Sequence, residues 1–206
     1  MKLLIFGATG TIGREVVRQA LARDFQVTAL VRSADAFEPQ SGLTVVTGDV
    51  LDPDDVERAF DRPDAVICTL GAGARGTVRS TGTRNIVQAM VAHDVRRLIC
   101  LSTLGAGDSR VHLDFFWKYI MFGLLLRRAY ADHQQQEACV MASVLDWTLV
   151  RPGAFADGPL TRAFRRVSGP HETGLALKIS RADVAWFILE QLTSNEYLHR
   201  APGITY

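Results

Sequence analysis

Apolar residues fall in short unbroken runs along the chain, and most runs are followed by a stretch with helical spacing. The first run is Leu3-Leu4-Ile5-Phe6. Its length and lack of polar alternation predict a strand buried on both faces, as in a parallel sheet. Residues 14–23 follow, with Val16, Val17, Ala20 and Leu21 on one helical face, which predicts a helix packed on that sheet. The pattern repeats. Further strands are predicted over residues 26–31, 43–47, 65–70, 97–101, 146–150, 175–179 and 203–206. Helices are predicted over residues 54–60, 77–93, 113–143 and 181–192, the third broken near Gly123 or Arg128. Pro53 stands where proline commonly opens a helix, and Ser180 with Asp183 three residues on reads as an N-cap. Strands alternating with helices predict an α/β chain: a Rossmann-type doubly wound parallel sheet in three layers, one domain over residues 1–206.

Between the first strand and the first helix lies Gly7-Ala8-Thr9-Gly10-Thr11-Ile12-Gly13. Gly7 and Gly10 let the backbone turn tightly and approach a ligand, and Gly13 lets the helix pack closely on the sheet. Unpaired N–H groups and the helix dipole then favour a pyrophosphate. The alternative is a plain tight turn between strand and helix; the strand before the glycines and the helix after them favour the dinucleotide reading.

The other strand ends extend this reading. The second strand ends in Arg32-Ser33, where a carboxylate would hold the ribose of NAD. A guanidinium instead matches a 2′-phosphate and points to NADP(H), unless Arg32 is an ordinary solvated side chain. After the third strand, Asp49 either accepts from the adenine amino group, with Val50 on the ring, or caps the next turn. Leu70, Gly71 and Gly73 follow the fourth strand, where backbone can approach the ribose and pyrophosphate. Asn85, inside the next helix, either anchors a neighbouring loop or faces solvent. Ser102 and Thr103 end the fifth strand, placed to meet the reacting end of a cofactor or to cap a turn. The loop at about residues 154–174 follows the sixth strand and forms a substrate-side wall, with a short helix expected near residues 160–166. Phe155, Phe164, Arg162, Arg165 and Arg166 in it suit a flat, anionic substrate or are plain surface and packing residues.

Composition narrows the partners. The chain has 206 residues, 48 % of them hydrophobic, and a net charge of +1. That supports a single core and gives no reason to expect nucleic acid. Cys68, Cys100 and Cys139 have no metal-ligand spacing and read as buried free thiols, with no metal site expected. Residues 111–126 are the most apolar stretch, but Asp114 and Lys118 interrupt it and it is short for a span. A mostly buried helix is expected there, with a partner-facing helix as the alternative. The first strand starts at residue 2, leaving no room for a signal peptide. The expectation is a cytoplasmic monomer or weak homodimer with no membrane association.

These segments together resemble the atypical short-chain dehydrogenase/reductase proteins, and within them the NADPH-dependent flavin reductase/biliverdin reductase B group. The match runs over nearly the whole chain, through GATGTIG, LVRSADAF, VVTGDVLD, TLGAG, GTRNIVQAM, LSTLGAG, Asp132-His133, LDWTLVRPG and ISRADVAWFILEQL. The resemblance implies that Gly7, Thr9, Gly10, Thr11 and Ile12 hold the pyrophosphate, and that Arg32 and Ser33 take the 2′-phosphate. It places Asp49 and Val50 at the adenine, and Leu70, Gly71 and Gly73 at the ribose. Ser102 and Thr103 approach the nicotinamide, and Pro152, Gly153 and Phe155 border it. Ser102 matches a serine proposed to assist at the substrate, and His133 matches a histidine; His133 is either a second proton source or a plain helix-surface or packing residue.

One departure from the wider superfamily matters for chemistry. Its usual Tyr-x-x-x-Lys relay is missing: Tyr119 is followed four residues on by Gly123, Tyr130 by Gln134 and Tyr197 by Ala201. Alcohol dehydrogenation by that relay is not expected. The resemblance implies hydride transfer to a small acceptor that takes its proton from water: a flavin, a linear tetrapyrrole or a quinone. The alternative is a non-catalytic NADP(H)-binding redox sensor whose partner docks on residues 115–126. A sugar-nucleotide epimerase would need a separate substrate domain and the missing relay.

Overall fold

In the computed structural model, which describes residues 1–71, 77–167, 172 and 174–206, the runs of apolar residues become the middle of one twisted sheet. The strands are β1 (Lys2–Phe6), β2 (Gln26–Val31), β3 (Leu43–Thr47), β4 (Ala65–Cys68), β5 (Arg97–Leu101) and β6 (Asp146–Pro152). They are followed by β7 (Ala154–Ala156), β8 (Arg165–Val167), β9 (Lys178–Ser180) and β10 (Gly203–Thr205). The main sheet has the order β3-β2-β1-β4-β5-β6-β10-β8. Its pairings are parallel except the last, where β8 runs antiparallel to β10. The order reverses beside β1, which pairs with β2 on one side and β4 on the other.

Alternate residues of each central strand feed opposite layers. Leu3 and Ile5 pack with α1 (Thr11–Leu21) and α5 (Arg181–Glu190). Leu4 and Phe6 pack with α2 (Pro53–Arg58), α3 (Val78–Ala92) and α4 (Arg127–Met141). Each fully buried Leu or Ile contributes about 1.5–3 kcal/mol. Both faces need apolar residues, which is why the central strands have no polar alternation. Asp52 caps α2, its side chain accepting from the Asp54 N–H, and the Ser180 Oγ accepts from the Asp183 N–H at 3.0 Å to cap α5.

Several boundaries differ from expectation. Residues 160–166 form no helix: Arg162 has a φ of +58°, and the Thr161 and Arg162 N–H groups donate to the Asp183 carboxylate at 2.9 and 2.6 Å. Asp183 also accepts from the Thr161 and Tyr206 hydroxyls at 2.7 and 2.6 Å. Burial pushes its carboxyl pKa up, but these donors outweigh burial and hold it below the usual range. The strand expected over residues 175–179 is β9, which starts three residues later and ends one later, and it pairs with β7 in a small separate sheet.

The helix expected to be mostly buried over residues 111–126 is instead exposed. Phe116–Leu125 is π-helical and ends at Leu126, where the backbone breaks before α4. Phe115 and Leu124 are each 72 % exposed, and Phe116, Tyr119 and Leu125 also face solvent. The physical reason is space: α1, α5 and α2, α3, α4 already cover the sheet. On its inner side Phe122 stacks on Tyr130. Cys68 and Cys100 are buried neighbours on β4 and β5, whereas Cys139 is only half-buried.

Candidate active site

Each C-terminal strand end from β1 to β6 opens on the same cleft, of about 760 Å³. Gly7 makes the first turn with a φ of +77°, and a Cβ there would stand 2.6 Å from the Thr69 carbonyl. The Thr69 hydroxyl donates to the Phe6 carbonyl at 3.0 Å, tying the ends of β4 and β1 together. A Cβ on Gly13 would overlap the Gly7 carbonyl oxygen, so only glycine lets α1 start this close to the sheet. The Gly10 N–H donates to the Gly7 carbonyl at 3.0 Å, and no side chain caps α1. The N–H groups of its first turn are free for an anion in the cleft.

Of the residues singled out in the sequence, the cleft is lined by Gly7, Thr9, Gly10, Thr11, Ile12, Arg32, Asp49, Val50, Leu70 and Gly71. Ser102, Thr103, His133, Gly153 and Phe155 line it as well. Ser33 and Pro152 are not part of its wall. Ser33 is exposed before the turn Ala34–Ala36, and Pro152 is buried in β6 with its carbonyl accepting from Leu104 N–H at 2.8 Å. Gly73 lies outside the described residues. Asp49 does act as a turn cap, its Oδ1 accepting from the Leu51 N–H at 3.0 Å while it lines the cleft. Asn85 anchors a loop, donating to the Val50 carbonyl at 3.0 Å.

Ser102 is 2 % exposed, its N–H bonds the Val150 carbonyl, and its Oγ has no hydrogen-bond partner. His133 reaches the cleft from α4, and its Nδ1 is buried without a partner. Burial, then the positive charge of Arg79, push its pKa down to about 3 against the pull of Asp132 and Gln136. His133 is therefore a neutral imidazole near neutral pH, which can donate or accept a hydrogen bond but carries no extra proton to deliver. One helical turn earlier on that face is Ala129. The Tyr130 hydroxyl donates to the Gly105 carbonyl at 2.9 Å and is outside the cleft wall.

Asp132 caps a helix that is not its own. Its carboxylate accepts from the N–H groups of Arg79 and Ser80 at 3.2 and 2.9 Å, and from the Ser80 hydroxyl at 2.6 Å. Thr77 gives α3 no side-chain cap, so α4 supplies one. Arg79, which sequence reasoning did not single out, lines the cleft with a side chain 11 % exposed. Its position was the available signal: a cation in the first turn of a helix is opposed by the dipole and needs a reason to be there. Thr69, Thr77 and Val78 also line the cleft and were missed.

Behind the wall, Arg151 is buried against Glu137. Its Nε and Nη2 donate to both carboxylate oxygens at 2.8 Å, and its Nη1 reaches Asp108. This clamp ties β6, α4 and the loop after β5 into one frame.

A parallel sheet that reverses order beside a glycine turn, with a helix start facing the crevice, defines a Rossmann-type dinucleotide-binding fold. The family model described as NAD(P)H-binding matches residues 7–195, and the chain belongs to that family. An uncharacterised chloroplastic protein of Arabidopsis thaliana is 30 % identical, covering 95 % of this chain and 73 % of its own. Among solved structures, ChuY, an anaerobilin reductase from Escherichia coli O157:H7, is 27 % identical with a TM-score of 0.84, covering 100 % of this chain and 97 % of its own. A short-chain dehydrogenase/reductase from Veillonella parvula, solved in complex with NADP, has the same fold at 19 % identity and a TM-score of 0.85, covering 100 % and 94 %. The resemblance read from the sequence is borne out. Among the described residues, no helix is long and apolar enough to cross a membrane, and no cluster of His, Cys, Asp and Glu has the makings of a metal site.

Proposed function

We propose that the protein is an NADPH-dependent reductase that passes hydride to a small, flat, conjugated acceptor in the cytoplasm. The observation that carries the reading is Ser102: a buried hydroxyl at the end of β5 with no protein partner, on the sheet side opposite the adenine strands. Burying a hydroxyl unpaired costs free energy, and a ligand's carbonyl or ring nitrogen would recover it. When bound, NADPH supplies the hydride. The free N–H groups at the start of α1, from Thr11 and Ile12, would hold its pyrophosphate, with Gly7, Thr9 and Gly10 shaping the turn beneath it, and Asp49, Val50, Leu70 and Gly71 would hold the adenosine side. Gly153 and Phe155 would wall the acceptor, Ser102 would donate a hydrogen bond to it, and water would supply the proton that joins the reduced acceptor after the hydride. Tyr130 is committed to Gly105 and Ala129 offers no hydroxyl, so no phenol serves as acid. ChuY, named an anaerobilin reductase, is consistent with a tetrapyrrole-like acceptor.

NADPH oxidation followed with FMN, biliverdin and a soluble quinone tests this. Ser102→Ala is expected to lower kcat/KM by about 10²-fold, the range of general acid–base and hydrogen-bond assistance. The pH profile is expected to lack an ionisation near 6.5, the ordinary histidine value, because His133 titrates far lower. No turnover with any acceptor would remove the reading.

Arg32 is assigned the 2′-phosphate. Arg32→Ala is expected to weaken NADPH about tenfold and leave NADH within twofold, measured by titration calorimetry. Equal losses for both coenzymes would overturn that assignment.

The exposed π-helix supports a second reading, a redox sensor that passes its coenzyme state to a partner protein. A sensor would oxidise NADPH with no acceptor, yet bind NADP⁺ and NADPH with different affinities.

A further inference from the structure

The cleft has two arginines among its described lining residues, Arg32 beyond β2 and Arg79 at the start of α3, past β4. They lie on opposite sides of β1, where the strand order reverses. The pyrophosphate has the α1 N-terminus and the 2′-phosphate has Arg32, which leaves Arg79 with no coenzyme anion to bind.

Arg79 is ion-paired with Asp132 but short of hydrogen-bond acceptors. Its Nε and Nη1 are buried and have no hydrogen-bond partner. Nη1 is ion-paired with Asp132 Oδ2 at 3.6 Å, beyond hydrogen-bond distance, and that carboxylate also serves the α3 N–H groups and the Ser80 hydroxyl. A guanidinium presents several donors in a fixed planar fork, and leaving two of them dry and unpaired is costly. An oxyanion matches that fork in charge and shape. His133, close enough for the Arg79 charge to act on its ring, brings its unpartnered Nδ1 to the same wall, and Ser102 adds its Oγ.

We propose that Arg79 is the receptor for an oxyanion, a carboxylate or phosphate, carried by the acceptor. This rests on the reductase reading and narrows it: acceptors with an acidic side arm are taken, and uncharged quinones are poor substrates. Arg79 fixes how the flat ring lies, and Ser102 meets the ring.

FMN and riboflavin share one ring system and differ by the phosphate, so they isolate the anion. Their binding to the NADP⁺ complex is read by quenching of flavin fluorescence, which needs no turnover. Wild type is expected to hold FMN at least about tenfold tighter than riboflavin, a ratio within reach of one charge-assisted contact. Arg79→Gln and Arg79→Met are expected to bring that ratio to about one, and Arg79→Lys to keep part of it, with NADP⁺ affinity within about threefold. Thermal unfolding of the three variants checks that they are folded, and the lysine variant retains the charge if the neutral ones do not fold. Equal binding of the two flavins by wild type, an unchanged ratio in the variants, or no binding of either flavin would overturn the proposal. So would a tenfold loss of NADP⁺ affinity with the flavin ratio intact, which would assign Arg79 to the coenzyme. The expected ratios without NADPH oxidation by any acceptor would sink the reductase reading and keep the receptor.

Discussion

Gly13→Ala is expected to abolish coenzyme binding and to lower stability by about 3 kcal/mol, the upper part of the range for overpacked sites. The added Cβ would overlap the Gly7 carbonyl oxygen and stand 2.8 Å from the Ala8 Cα. Both obstacles are backbone, so no rotamer change relieves them. The helix α1 would have to move off the sheet, taking its free N–H groups with it. Gly10→Ala is a built-in contrast: its nearest obstacle is the Gly7 carbonyl at 3.2 Å, and a shift of a few tenths of an ångström relieves it. Urea unfolding gives the stability change, and calorimetry with NADPH gives the binding. Wild-type affinity in a folded Gly13→Ala protein would show that the turn does not hold the pyrophosphate.

Glu137→Ala is expected to cost about 3–5 kcal/mol, because it strands the buried Arg151 guanidinium with only Asp108 left. The loss should greatly exceed that of Asp108→Ala, whose side chain is almost wholly in water. Replacing both Arg151 and Glu137 by Met and Leu should restore most of the loss, since a well-packed apolar pair avoids the desolvation of two ions. Chemical denaturation of the single and double variants measures this. A double variant as unstable as Glu137→Ala would mean that the carboxylate does more than neutralise Arg151.

How much was legible in the sequence follows from where each signal resides. The central strands β1, β4 and β5 declare themselves because a strand buried on both faces is apolar over its buried positions, whereas the edge strand β3, with no buried residue, shows only as a short run of β-branched side chains. The glycine turn declares itself because Gly7 and Gly13 sit where a Cβ has no room. The role of Asn85 was readable as an alternative and the structure selected it. The strand β8 was read as a helix because its three residues, Arg165, Arg166 and Val167, gain their structure from β10, nearly forty positions later, and carry no local pattern. Residues 111–126 were misjudged for a related reason: hydropathy reports that a segment avoids water, not that a layer of the fold has space for it. Asp132 as the cap of α3, and Arg79 beside it, depend on two helices meeting, which no window along one helix reveals.

The long connection after β7 is stapled at its waist. Asp183 takes the backbone at Thr161 and Arg162 and fastens it to the foot of α5 and to the final tyrosine. A tether at the midpoint divides one long arc into two short ones, each with far fewer shapes to sample. The arc nearer the cleft runs only from Ala156 to Thr161, so Phe155 sits at the root of a stiff bracket. On the reductase reading, the residues from Ala156 to Thr161 are then the ones that set the width of the entrance beside Phe155.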